Sequence, residues 1–117
     1  MIKAVIIEDE RKSRELLNTL ITRHCGDIHI AGMAESVASG IALIRKQTPE
    51  IIFLDIAMPD GSGFDLLEQL HDINFEVIFT TATDRYAVKA IKYSALDYLL
   101  KPIDADELKT AVDKIIE

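Results

Sequence analysis

The 117-residue sequence predicts an α/β fold, a doubly wound five-stranded sheet that is largely parallel, with helices on both faces. Three observations carry this reading. Strand-like apolar runs alternate with amphipathic helical patterns from one end of the chain to the other. The first run, Ile2 to Ile7, is apolar almost throughout, as expected of a strand covered on both faces. No internal repeat, linker or low-complexity tract interrupts the series, so one domain spanning 1–117 accounts for the whole chain.

The elements follow in order. After the first strand, Leu16, Leu17, Leu20 and Ile21 form the apolar stripe of a helix over Arg11 to His24. Ile28 to Ala31 alternates briefly before Gly32 and makes a short second strand. Ser36 is placed to cap a helix carrying Val37, Ile41 and Ile44 on one side. Pro49 stops that helix, and Ile51 to Leu54 is the third strand. A loop with Pro59, Gly61 and Gly63 leads to a helix bearing Phe64, Leu67 and Leu70. Val77 to Phe79 is the fourth strand, and Asp84 is expected to cap a helix with Ala87, Ala90 and Ile91 turned inward. Leu96 to Leu100 is the fifth strand. Leu108, Ala111, Val112 and Ile115, at i, i+3, i+4 and i+7, define the last helix.

Composition narrows the function classes. The chain is 49% hydrophobic and 28% charged, ordinary for a globular domain. No apolar run approaches the roughly 20 residues a membrane span needs, and the amino terminus lacks a signal-peptide layout. A cytoplasmic setting without membrane contact is the expectation. A net charge of −7 repels nucleic-acid backbones, so the chain by itself is a poor DNA binder. Cys25 is the single cysteine, which excludes an intrachain disulfide. With His24 beside it, it falls short of the four ligands a zinc site wants, and both residues read as packing near a helix end.

In doubly wound sheets ligands bind beyond the carboxyl ends of the strands, near the topological switch point. Strand one ends in Glu8 and Asp9, strand three in Asp55, strand four in Thr80 and Thr81, and strand five leads to Lys101. With strand order 2-1-3-4-5, three carboxylates, a hydroxyl and an ammonium converge on one rim. Each alone is an ordinary turn, cap or solvated residue. Together the acids repel one another unless a cation relieves them, and Mg2+ suits oxygen ligands while keeping waters for phosphate oxygens. Lys101 favours an anionic guest, and a carboxylate can itself be the nucleophile in phosphoryl transfer.

Over its whole length the chain resembles the receiver domain of two-component response regulators. The resemblance rests on Glu8-Asp9, Asp55-Ile56-Ala57-Met58-Pro59, Thr81-Ala82 and Lys101-Pro102, each following its strand. It implies a flavodoxin-like (βα)5 fold, with Asp55 as phosphoacceptor. Glu8, Asp9, Asp55 and the backbone carbonyl of Ala57 would hold Mg2+. Thr81 and Lys101 would grip phosphoryl oxygens, Thr81 and Tyr98 would form the switch pair, and the Lys101-Pro102 bond would be cis. The segments Thr80 to Ala87 and Ala95 to Pro102 look like LytTR-family receivers. That likeness implies a sensor histidine kinase as phosphodonor and a C-terminal DNA-binding output domain absent from this chain, which then reads either as a piece of a longer transcriptional regulator, the favoured reading, or as a stand-alone receiver. Glu8 stands where an Asp is often found, a variation that keeps the metal. Ala57 and Thr83, two residues beyond Asp55 and Thr81, provide no carboxylate or amide to assist dephosphorylation.

On the fourth helix Arg85, Lys89 and Lys92 make a basic stripe, and on the last helix Asp106, Asp113 and Glu117 make an acidic one. Two phosphorylated copies could pair these stripes in an isologous dimer. Two rival readings stay open beside the switch. One is a magnesium phosphohydrolase, although Ala57 denies it a second acid. The other is a degenerate receiver that binds a partner without phosphorylation. The expectation is a protein that is not an enzyme beyond its own phosphorylation and slow dephosphorylation.

Overall fold

The computed structural model describes residues 1–70 and 74–116. The main sheet contains β1 (Ile2–Ile7), β2 (Ile28–Ala34), β3 (Ile51–Leu54), β6 (Glu76–Thr81) and β7 (Asp97–Leu100). Between β3 and β6 a two-stranded hairpin is made by β4 (Ala57–Met58) and β5 (Gly61–Ser62). The helices are α1 (Arg11–His24), α2 (Val37–Gln47), α3 (Gly63–Gln69), α4 (Ala87–Lys92) and α5 (Ala105–Ile116). The sheet is parallel throughout in the order β2-β1-β3-β6-β7, the 2-1-3-4-5 topology once the hairpin strands are set aside.

Strand alternation sorts the apolar side chains into two cores. Val5, Ile7, Ile52, Leu54 and Phe79 face α2, α3 and α4, where Ile44, Phe64, Leu66 and Ala90 meet them. Ala4, Ile6, Ile51, Phe53 and Ile78 face the other way, onto Leu17 and Ile21 of α1 and Leu108, Ala111 and Val112 of α5. Strands covered on both faces have to be apolar at every position, which is why β1 and β3 read as continuous runs.

Several local expectations are revised. β2 runs past Gly32 to Ala34, with an irregular register against β1 between Ala4 and Val5. Of the α1 stripe, Leu17 and Ile21 are buried, whereas Leu16 is 53% exposed because it lies at the edge of the buried face. Ser36 caps α2 as expected: its side chain accepts from the Ser39 N–H, and Ser39 reciprocates. Asp84 does not cap α4. That helix starts after Tyr86 without a side-chain cap, and the preceding turn is held by the Arg85 N–H donating to Thr83 Oγ1. Ile91, expected inside, is 75% exposed. The space under α4 is filled instead by Tyr86 and Tyr93, packed with Phe64 at ring separations of 6.2 Å and 5.1 Å. Glu117 lies outside the described residues.

Candidate functional site

Register positions the site. Ile7 pairs with Leu54, Leu54 with Phe79 and Phe79 with Tyr98, so four neighbouring strands end on one rim. One residue further on, Glu8 and Asp55 stand side by side. Backbone hydrogen bonds carry the alignment past the last strand residues: the Asp55 N–H donates to Ile7 O at 2.9 Å, and the Lys101 N–H to Thr81 O at 2.8 Å. The hydrogen-bonded pairing of the sheet thus continues one residue past the ends of β3 and β7.

At this rim carboxylate oxygens of Glu8, Asp9 and Asp55 lie within 4.8 Å of one another. Among the described residues this is the group of acids, histidines and cysteines close enough to hold a metal ion; Cys25 is buried at the end of α1 and belongs to no such group. Asp9 is exposed, while Glu8 and Asp55 are only 2% and 6% exposed. Two buried carboxylates side by side demand compensation, and Lys101 supplies it. Its Nζ donates to Glu8 Oε1 and, at 3.2 Å, to Asp55 Oδ2. The remaining oxygens are met by backbone: Glu8 Oε2 accepts from the Glu10 N–H at 2.9 Å, and Asp55 Oδ1 from the Ile56 N–H at 2.7 Å.

Burial pushes the Glu8 carboxyl up to about 7 from its ordinary 4.5, against the pull of Lys101 and the Glu10 N–H, with the charge of Asp55 adding to the rise. For Lys101, burial acts against the charged form. The hydrogen bond to Glu8 and the charge of Asp55 outweigh it, and its pKa stands above the ordinary value. The arrangement is short of positive charge: one ammonium faces three acids. Hard oxygen donors at this spacing fit a small divalent cation.

Thr81 ends β6 with its side chain buried, on the face of the sheet that carries Phe79. Tyr98 is half-buried on β7, its ring 6.1 Å from that of Phe79, and its hydroxyl donates to Thr83 O at 2.6 Å. Ala57 opens the hairpin strand β4 directly after the Asp55 loop. The Lys101-Pro102 peptide is cis. Glu8, Asp9, Asp55 and Lys101 are therefore brought together, with Thr81 and Ala57 on the elements flanking them. Lys89 and Lys92 lie on α4 and Asp106 and Asp113 on α5, whereas Arg85, expected on the fourth helix, stands in the turn before α4, which begins only at Ala87.

Three supporting features were not read from the sequence. Arg14, one turn into α1, donates to the carbonyls of Glu8 and Asp9 at 2.9 Å and 3.2 Å and so fixes the acidic turn. Ser62 caps α3 by accepting from the Asp65 N–H, and the Asp65 carboxylate accepts from the Ser62 N–H. That serine-to-acid spacing of three was the available signal. Gly63 opens α3 where a Cβ would lie 2.6 Å from Asp55 O, so only glycine allows the helix to approach the Asp55 backbone.

The chain matches the model of the response regulator receiver domain over residues 4–113. It is 38% identical over 116 residues to the transcriptional regulatory protein BtsR of Escherichia coli (strain K12), covering 98% of this chain and 48% of that protein. It is likewise 38% identical over 112 residues to the sensory transduction protein LytT of Enterococcus faecalis, covering 94% of this chain and 46% of that one. The chain spans about half the length of these curated relatives. Among solved structures it superposes on a DNA-binding response regulator of the LuxR family from Staphylococcus aureus with a TM-score of 0.89 and 28% identity, covering 100% of both chains. The parallel sheet, the acidic rim and these matches agree: the chain belongs to the response regulator receiver domain family.

Proposed function

We propose that this receiver accepts a phosphoryl group on Asp55 in a Mg2+-dependent reaction, with a sensor histidine kinase as its natural donor. The observation that carries the reading is the bridge from Lys101 to both Glu8 and Asp55 inside a cluster of three carboxylates. A lysine in that position compensates part of the negative charge. Glu8, Asp9, Asp55 and the Ala57 carbonyl would hold the cation, which when bound would neutralise the acids and the incoming phosphoryl oxygens. Lys101, which bridges Glu8 and Asp55 in this structure, would donate to a phosphoryl oxygen. An Asp55 carboxylate oxygen attacks phosphorus, the bond from phosphorus to the donor breaks, and the donor leaves with that electron pair. Thr81 supplies its hydroxyl to another phosphoryl oxygen, and Tyr98 responds to its movement.

The chain then acts as a switch and not as a turnover enzyme. Phosphorylation would alter the surface of α4, β7 and α5 and so control an output domain. The relatives named for transcription and for LytT, together with their doubled length, support a DNA-binding output of the LytTR type and a cytoplasmic setting. No helix among the described residues is long and apolar enough to cross a membrane. The same surface supports a homodimer on phosphorylation, because Val88, Ile91 and Leu100 are exposed on it beside Arg85, Lys92 and Asp106. Lys89 lies 4.6 Å from the Phe64 ring and Asp113 3.5 Å from Lys109, so these two contribute less free charge than the sequence suggests.

Intact-mass spectrometry after incubation with acetyl phosphate and Mg2+ tests the reading. One phosphoryl adduct is expected, absent with EDTA and absent in Asp55→Asn. Sustained consumption of varied phosphate esters would point to a hydrolase, and no adduct at all to a receiver that acts without phosphorylation.

A further inference from the structure

The hairpin that carries Ala57 is small. β4 and β5 pair only through Ala57 with Ser62 and Met58 with Gly61, and so short a ribbon has little stability of its own. Its base is closed by the Gly63 N–H donating to Ile56 O at 2.8 Å, and its α3 side by the exchange between Ser62 and Asp65. The turn is held from the opposite side, by Asp60. Its Oδ1 accepts from the Val37 N–H at 2.8 Å and its Oδ2 from the Ala38 N–H at 3.0 Å, contacts that span 23 and 22 positions of sequence. These N–H groups have no partner within α2, and Ser36 Oγ takes the next one, from Ser39. A carboxylate at a helix N-terminus gains from charge as well as from hydrogen bonding. α2 is a firm anchor: Val37 and Ile44 are buried, and a Cβ on Gly40 would lie 3.0 Å from both Ile7 of β1 and Leu66 of α3. Ile7 directly precedes Glu8.

We propose that Asp60 is a positioning residue of the metal site: by clamping the β4–β5 turn to α2, it sets the backbone carbonyl of Ala57 relative to Glu8 and Asp9. The inference rests on the Mg2+ site proposed above and adds to it a residue that touches neither the metal nor the phosphoryl group. Glu8 and Asp9 follow the end of β1, whereas Ala57 belongs to a separate hairpin, so the two halves of the site need a common frame. α2 provides that frame, packed on β1 at Gly40 and bonded to the hairpin through Asp60. Ile56 and Met58 rest on the core beneath the hairpin, contacts that resist lifting but are not directional. A cap from within the helix, such as Ser36, would satisfy α2 alone. The reach of Asp60 from another element is what ties the helix to the site.

Calorimetry with Mg2+, combined with amide hydrogen exchange of the metal-free chain, tests this role. Asp60→Ala should weaken Mg2+ about tenfold, the scale on which residues that support metal ligands act. Ser36→Ala removes another cap from the start of α2 but has its bonds only within that turn. It should lower the melting temperature comparably and leave Mg2+ affinity within about twofold. Asp60→Asn keeps one acceptor and should recover part of the lost affinity. Without metal, exchange across residues 57–62 should quicken in Asp60→Ala and not in Ser36→Ala. Equal losses of Mg2+ affinity in Asp60→Ala and Ser36→Ala would reduce Asp60 to a helix cap and overturn the proposal, as would unchanged affinity in Asp60→Ala. A wild-type chain that binds no Mg2+ would instead overturn the metal site itself, and this role with it.

Discussion

Glu8 carries a carboxyl that burial raises to about 7 while Lys101 donates to it and Asp55 stands beside it. A raised acid of this kind favours the folded state most below its ordinary 4.5, and that contribution is lost as pH rises through about 7. The metal-free domain should therefore become less stable across that interval as far as Glu8 is concerned. Cation binding has the opposite slope, because the ligand is the ionised carboxylate. Mg2+ affinity, measured by calorimetry, should rise about tenfold from pH 6 to pH 8 and then level off, the ratio set by ionising one group near 7. In Glu8→Gln that rise should disappear. A pH-independent affinity in the wild-type chain would remove Glu8 from the metal site. Asp60 behaves in the opposite sense: hydrogen bonds from the Ala38 and Val37 N–H groups hold its carboxyl below the ordinary range. Its contribution to the start of α2 is present at neutral pH and is lost only as pH falls through its lowered pKa.

At the scale of elements, α3 is held against the Asp55 loop by contacts that leave no room for a side chain at Gly63. A Cβ there meets Asp55 O at 2.6 Å and Leu54 Cγ at 3.0 Å. Gly63→Ala should force the helix away from the rim, costing about 1–3 kcal/mol in urea unfolding, as overpacking does elsewhere. It should also slow acetyl-phosphate labelling of Asp55. Unchanged stability and labelling would mean that the helix start is not tied to the site. The major elements were legible because each buries an apolar stripe or run, and the Ser36 cap because its chemistry is local. Contacts between elements were not. Gly63 read as a loop residue, since its constraint comes from the backbone of Asp55, eight positions earlier. Ile91 read as buried because helical spacing cannot register that Tyr86 and Tyr93 already fill the space beneath α4. Arg14 was unmarked because its partners are carbonyls, which look the same in every sequence.

For the whole molecule, one sheet presents two faces of different use. The strand ends gather the acids, Thr81 and Lys101, and this convergence was legible once the strand order was inferred from the alternation of elements. The α4–β7–α5 side carries exposed Val88, Ile91 and Leu100 with charges around them, an apolar patch that periodicity had assigned partly to the core. In the presence of Mg2+ and beryllofluoride, sedimentation should detect a dimer that Ile91→Glu abolishes; a monomer under those conditions would remove the dimer from the account. The central claim is narrower: of three neighbouring carboxylates, Asp55 is the one that takes the phosphoryl group. Borohydride reduction of the acetyl-phosphate-treated chain converts an aspartyl phosphate to homoserine, which peptide sequencing by mass spectrometry can place. The account predicts homoserine at position 55 alone, and only when Mg2+ was present. Reduction at Asp9 or Glu8, or none in a chain shown to be phosphorylated, would contradict it.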